Sequence, residues 1–442
     1  MDTFPGMQDV WGQLPRMKGY THLAVFFSQP ESSRETIAAH LQAATHKITS
    51  ALPWLGGAVI NLNTSQGCTG NFTVIRCPQT ENILKVQDRS KDCPSFNKIL
   101  HAKASSDQLD GSLLSAETAM PDTYTEAEAN PAPVLTLTAS WIQGGVVLDC
   151  AAQHNILDMG GIDQFFQLLA IALQDKEFSD VVIAANTQDR LSIFPLLGAG
   201  EKRYDHSKMR CPSSFTPAPR PNPRPGPKPA FHYFRFSASN LTRLTVLAET
   251  PSTDDALSAF IWKRLSAIRH RHQNPDSITG FSRAVDLRRT LNIPIEYMGV
   301  AVMKTSSRMT FNSMEQSSLA DVAAQLRQDV RRVRDQHFLR SLATLIAEAP
   351  DKSTISFVDG FNPDTWINAS SWASAATHRL DYGLLGKPAF VRRPKAKPVQ
   401  GLLFFLPMMN DGDVDVLFCL KNWEIRGLCE DLEWCQYATY TG

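Results

Sequence analysis

Apolar and polar positions fall along this chain in short blocks, and each block has its own period. Residues 21–29, "THLAVFFSQ", are apolar almost without interruption and predict a strand. Ser32 and Glu35 follow at capping-box spacing, and Ile37, Leu41, Ala44 and Ile48 then recur on one helical face. Strand character resumes in "GGAVINLN" and "FTVIRC", after which residues 103–132 turn polar and acidic and predict a long surface loop. Residues 133–152, "PVLTLTASWIQGGVVLDCAA", predict two strands joined by a turn at Gly144 and Gly145. The second strand is apolar nearly throughout, as expected of burial on both faces. Ile162, Phe165, Phe166, Leu169, Ala172 and Leu173 then make one apolar helical face that packs back on it.

The pattern breaks at residues 211–231, where eight prolines between 212 and 229 forbid a regular helix or ladder and predict an extended, semi-rigid connector. Similar lengths of chain flank it, so the division is residues 1–205, a linker over 206–231, and residues 232–442. Beyond it, Ser252 and Asp255 stand at capping-box spacing before a helix over 252–270 that turns Ala256, Phe260, Ile261, Leu265 and Ile268 inward. "GFSRAVDLR" predicts the next strand. Residues 317–348 predict a long amphipathic helix broken near Asp335, with further strands around 354–358, 400–406 and 414–420. Both halves alternate strands with helices, which predicts an α/β fold with mixed sheets.

Composition narrows the classes. At 442 residues the chain exceeds the roughly 250–300 at which one core stops growing, which favours two domains. Lys plus Arg and Asp plus Glu are 44 each, so no net field draws nucleic acid or an acidic lipid surface; the expected partner is a small molecule. The eight cysteines contain no CxxC pair and read as free thiols of a cytoplasmic protein, without a metal site. Asp2, Pro5 and Asp9 occupy positions where a secretory leader needs a basic start and an apolar core. The longest apolar stretches, such as "GLLFFLPMM" at 401–409, fall short of the roughly 20 residues that cross a bilayer. A soluble monomer that carries no glycan at Asn71 or Asn240 is the expectation.

Candidate chemistry lies in "GGVVLDCAAQHNILDMGGIDQFF", residues 144–166, where the buried strand hands over to the helix and leaves His154 and Asp158 at the junction. A positioned histidine, with a reference pKa near 6.5, accepts protons at cellular pH and typically contributes roughly a hundred- to ten-thousandfold to rate. The spacing alone carries little, since "HQNPD" at His272–Asp276 repeats it in a polar loop that reads as a decoy. Context separates the two: an apolar strand and Ala151 and Ala152 lead into His154, and Gly160 and Gly161 follow Asp158. The structural alternative is a core histidine satisfied by hydrogen bonds, with Asp158 as a helix cap.

Further motifs follow in order: "ALSAFIWKRL", then "VDLRR" at 285–289 with "IPIEYMG", then "SSW" at 370–372, then "DYGLLGKP" from Asp381. With His-x-x-x-Asp ahead of them and "LPWLGG" after the first helix, this series resembles the BAHD acyltransferases, in particular the fungal branch that O-acetylates secondary metabolites. The resemblance spans most of the chain. It implies two chloramphenicol-acetyltransferase-like domains of similar size, a crossover loop, and a central channel that the two substrates enter from opposite faces.

By that resemblance His154 is the general base that deprotonates an acceptor hydroxyl as it attacks an acyl-CoA thioester, acetyl-CoA foremost, with no acyl-enzyme. Asp158 then points away from the channel and pairs with Arg288, holding the loop of His154. Ser370, Ser371 and Trp372 are the candidates for oxyanion or channel contacts, and Asp381, Gly383 and Gly386 mark a structural motif. Acyl-CoA is a co-substrate, with no permanently bound cofactor and no assigned CoA-contacting residue. Arg392, Arg393 and Lys395 read equally as a solvated loop or as phosphate contacts.

The chain departs from the plant pattern at Met159, where those members have glycine, and at the leucines of "DYGLLGKP", where they have tryptophan, which bears on acceptor shape. Peptide-synthetase condensation domains share the histidine motif, but Gln153 stands at their first histidine. Two other readings of the site are CoA-independent proton transfer, such as cyclisation or elimination, and a non-catalytic metabolite-binding relative.

Overall fold

Residues 2–119, 130–213, 228–358 and 360–442 are described by a computed structural model of the chain. The middle of the proline-rich linker and part of the acidic loop lie outside these residues. The first half supplies β1 (Tyr20–Ser28), β2 (Ala58–Leu62), β3 (Asn71–Ile75), β4 (Leu84–Asp88), β5 (Ala132–Pro133), β6 (Leu135–Ile142) and β7 (Gly145–Gln153). The second supplies β8 (Pro229–Phe236), β9 (Ile278–Asp286), β10 (Val302–Lys304), β11 (Ser307–Thr310), β12 (Trp366–Ser371), β13 (Phe390–Arg392), β14 (Leu402–Phe405), β15 (Val414–Lys421) and β16 (Ala438–Tyr440).

They form two large sheets and one small one, the mixed α/β architecture predicted. The first sheet has the order β13-β1-β7-β6-β4, the second β10-β9-β12-β14-β15-β8-β16 with β11 also on β9, and the third β3-β2-β5. β7 lies at the centre of the first sheet and is buried at every residue, as its unbroken apolar run requires. Gly144, with φ of 80°, makes the tight turn that feeds it. The helix Met159–Ala172 covers the sheet, joining Leu148, Cys150 and Ala152 of β7 and Ile37, Leu41 and Ile48 of the first long helix in one core.

β13 pairs with β1, so the second half lends the first sheet its edge strand. The "DYGLLGKP" segment leads into that strand. Tyr382 is buried against Phe27 at 5.2 Å and Phe166 at 6.4 Å, and Gly383, with φ of 62°, sits where a Cβ would come within 2.6 Å of the Leu173 carbonyl oxygen. Gly386 also has positive φ. Asp381 is exposed, and its carboxylate accepts from the Gly383 N–H at 3.0 Å.

The second sheet has two unlike faces. Phe281, Ile367, Ala369, Leu403, Phe405, Val416 and Phe418 point toward the helices Ala238–Leu247, Thr253–His270 and Leu319–Val333 and make a second core. The register places Lys304 beside Ala284, Ser282 beside Asn368, Ser370 beside Phe404, and Phe404 beside Leu417, all on the other face. That face turns toward the first sheet: Phe231, Tyr233, Leu417 and Cys419 pack into the first half's core, while the β10-β9-β12 end is polar.

Several local expectations are revised. The first helix is capped by Ser33, whose side chain accepts from the Thr36 N–H, one residue after the predicted Ser32. Ser252 caps its helix through the Asp255 N–H as predicted, but the Asp255 carboxylate is taken by Arg283 at 2.7 Å, because a desolvated guanidinium outcompetes a backbone amide. The break at Asp335 is real, since that residue caps the helix Gln336–Glu348. No strand forms around 354–358: Lys352–Thr354 is a 3-10 turn, and Ile355 makes an isolated bridge with Arg210. The acidic loop includes the short helix Gly111–Leu114. All eight cysteines are free thiols. Among the described residues, no helix is long and apolar enough to cross a membrane.

Candidate active site

β7 ends at Gln153, and His154 begins the turn to the helix Met159–Ala172, with its backbone N–H bound to the Gly19 carbonyl at 2.8 Å. Protein surrounds the ring, yet part of it stays open. Nδ1 is buried and has no hydrogen-bond partner, whereas Nε2 is not sealed off. Burial pushes the imidazole pKa down, the nearby Lys304 ammonium adds to this, and the residue's own carbonyl and Asp158 oppose it. The net shift is downward, which favours the neutral form of the ring.

Asp158 makes two sets of contacts. It caps the helix, with Oδ1 accepting from the Gly161 N–H at 3.0 Å, and it forms a two-pronged pair with Arg288, at 2.7 Å to Nη2 and 3.0 Å to Nη1. Oδ2 also takes the Ala301 N–H at 3.0 Å. Burial would raise the carboxyl pKa, but Arg288 and these N–H groups outweigh it and hold it below the ordinary value. Arg288 spends its donors on Asp158, Asp286 and the Tyr297 and Gly299 carbonyls, so the guanidinium is 2% exposed without an unmet N–H.

The glycines after Asp158 let this clasp close. A Cβ on Gly160 would lie 3.0 Å from Arg288 Nη1, and one on Gly161 only 2.1 Å from the Met298 carbonyl oxygen. Met159, where the plant pattern has glycine, leaves both of these approaches unaffected.

A second carboxylate, which no motif marks, braces the same place. Asp9 is buried and accepts from the N–H groups of Gly12 at 2.7 Å and Val300 at 3.0 Å and from the Tyr297 hydroxyl at 3.3 Å. Its arginine, Arg190, stands 3.8 Å away and donates instead to the Ile156 carbonyl at 3.0 Å. Burial therefore dominates over Arg190 and pushes Asp9 up to about 6, the reverse of Asp158. Gly12 abuts the Asn155 carbonyl, so the N-terminal segment buttresses the turn of His154 from behind.

The other predicted residues separate. Ser370 is on the inward face and half-buried; its Oγ accepts the Trp372 indole N–H at 3.0 Å, and the Trp372 ring packs tilted against Phe404 at 4.9 Å. Ser371 is exposed and belongs to the opposite face. Asp381, Gly383 and Gly386 sit at the junction with the first sheet, away from the imidazole.

Of the basic trio, Arg392 is buried against Asp415 and the Lys103 and Ala104 carbonyls, and Lys395 pairs with Asp107 at 2.7 Å, so both are engaged within the protein. Arg393 lies buried over Phe404, 4.8 Å from the ring centre. The motif search also missed Lys304, a half-buried amine whose Nζ donates to Asn368 Oδ1 at 2.9 Å on the polar end of the second sheet. A lone lysine in "VAVMKTSS" carries no pattern.

The imidazole is oriented by its turn and partly open, so it is placed to accept a proton from a bound group. Residues 110–434 match the Transferase family and residues 20–172 the trichothecene 3-O-acetyltransferase-like N-terminal domain. The chain belongs to the Transferase family and is an acyltransferase of its fungal branch. It is similar to O-acyltransferase pigD of Monascus ruber, at 40% identity over 98% of both proteins. O-acetyltransferase epaC of Aspergillus niger is 37% identical over 98% of this chain and 96% of its own. The crystal structure of F. sporotrichioides TRI101 complexed with coenzyme A and T-2 has a TM-score of 0.90 at 29% identity, covering 98% of this chain and 99% of that one.

Proposed function

We propose that the chain is an acyl-CoA-dependent O-acetyltransferase acting on a hydroxyl group of a fungal secondary metabolite, with His154 as general base. The single observation that carries this is the imidazole itself: partly open, and carried on a turn that the Asp158–Arg288 clasp holds. The coenzyme A and T-2 bound by the TRI101 structure support acyl-CoA and a small alcohol as the two substrates.

In the proposed reaction His154 Nε2 takes the acceptor hydroxyl's proton while the oxygen attacks the thioester carbonyl. Trp372 donates its N–H to Ser370, which orients the serine and leaves the Ser370 O–H to meet the developing oxyanion. Collapse breaks the carbon–sulfur bond, and the imidazolium returns its proton to the leaving thiolate. Both substrates are bound together, and no acyl-enzyme forms. Asp158 and Arg288 touch neither substrate; they hold the turn. Residues 1–205 and 232–442 form the two domains, joined through 206–231, and the protein acts as a cytoplasmic monomer.

The test is thiol release from acetyl-CoA with hydroxylated polyketide and terpenoid acceptors, repeated with His154→Ala. Acceptor-dependent release that the variant loses supports the reading. Product formed without thiol would replace it with CoA-independent proton transfer, and binding without product would leave a metabolite-binding relative.

A further inference from the structure

The inward face of the second sheet changes character along its width. At the β14-β15-β8 end it is aromatic and aliphatic and packs into the first half's core. At the β10-β9-β12 end the side chains on that face include Lys304, Ser282, Asn368 and Ser370, a polar set beside Ala284. Interior polar groups are normally satisfied by the protein. These are not: Ser282 is fully buried with no partner for its Oγ, and the Lys304 ammonium, which has three donors, has one protein hydrogen bond, to the neutral Asn368.

Lys304 is half-buried on that face, and its ammonium is among the charges that lower the His154 proton affinity. Among the described residues no carboxylate pairs with it. A half-buried ammonium without a counter-charge loses part of its hydration, and a bound electron-rich group would restore it. Burial lowers its pKa to about 8, which leaves it mostly protonated at neutral pH. Asn368 fixes the direction of the amine by accepting one N–H and leaves its remaining donors without a protein partner.

We propose that Lys304, steered by Asn368 and flanked by Ser282, is a specificity-determining acceptor-recognition group that grips a second, electron-rich oxygen of the alcohol, a carbonyl or carboxylate, remote from the hydroxyl that His154 deprotonates. The proposal rests on the acyl-transfer reading and narrows its substrate class: a plain hydrocarbon alcohol is a poor acceptor, and an oxo- or carboxy-bearing alcohol is a good one. A charge-assisted hydrogen bond in a desolvated site is worth about a tenfold preference or more.

The test compares benzyl alcohol, 3-acetylbenzyl alcohol and 3-(hydroxymethyl)benzoate by two readouts: calorimetric binding to the intact protein in the presence of coenzyme A, and kcat/KM for thiol release from acetyl-CoA. The expected result is tighter binding and a larger kcat/KM for one or both oxygen-bearing probes, by about tenfold. That ratio falls toward one in Lys304→Met and Lys304→Gln and recovers in Lys304→Arg, with thermal unfolding confirming each fold. The ratio between probes cancels any general loss of rate. Equal ratios in the native protein and the variants would overturn the proposal, as would a change confined to the KM for acetyl-CoA. Probe discrimination without any thiol release would overturn the acyl-transfer reading and leave the Lys304 site standing; thiol release without discrimination would do the reverse.

Discussion

His154–Asp158 and His272–Asp276 present the same two residue types at the same spacing in different surroundings. The first pair closes a strand at the centre of a sheet and opens a buried helix; its carboxylate is locked to a guanidinium from the other half. The second pair follows the helix Thr253–His270 into solvent, where both residues are exposed, His272 leans on Trp423 at 4.7 Å, and Asp276 accepts from Asn312 at 3.3 Å. Spacing puts two groups near each other, but the loss of water around them changes what they can do. Desolvation lowers the proton affinity of the first imidazole and strengthens the pair beneath it.

The comparison is best broken at its strongest point. His154→Ala is expected to lower kcat by about a hundred- to ten-thousandfold in the thiol-release assay, while His272→Ala leaves it within about twofold because an exposed side chain has no such role. Removing Arg288 attacks the clasp: Arg288→Met strands a buried carboxylate and should cost roughly 3–5 kcal/mol in chemical unfolding. Asp276→Ala, its exposed counterpart, should stay within about 0.5 kcal/mol. Gly161→Ala forces a Cβ into the Met298 carbonyl and should cost about 1–3 kcal/mol by overpacking, with kcat falling as the turn shifts.

The smallest effect sharpens the contrast through pH. Because the His154 pKa is shifted down, the neutral base persists into mildly acidic solution and is lost only as pH falls through the lowered value. The acid limb of kcat/KM should therefore have its midpoint below the reference value of about 6.5; a midpoint above it would contradict a desolvated imidazole.

How far the site was legible depended on distance along the chain. The strand, the turn and the helix around His154 could be read because their apolar periods lie within one stretch of 23 residues, 144–166. The Arg288 pairing was reached only through the resemblance, since it joins residues 130 positions apart. Asp9, 291 positions from the Val300 N–H it accepts, and Lys304, 64 from Asn368, left no local mark. The strand misread around 354–358 has the same origin: apolar content was read as a ladder, but Ile355 meets Arg210 alone.

By itself the sequence determined most of the elements and their order, because burial periods and capping residues act over a few positions: β7 running into the capped helix and the break at Asp335. Only the tertiary structure decided which charges meet and which are left alone. Asp158 and Asp9 are both buried aspartates near an arginine, yet one is held ionised by a guanidinium at 2.7 Å and the other, whose arginine stops at 3.8 Å, is driven toward the neutral form. In a desolvated interior about one ångström of separation, and the direction in which the donors point, decides whether pairing overcomes the cost of burial, and no stretch of sequence encodes that difference locally.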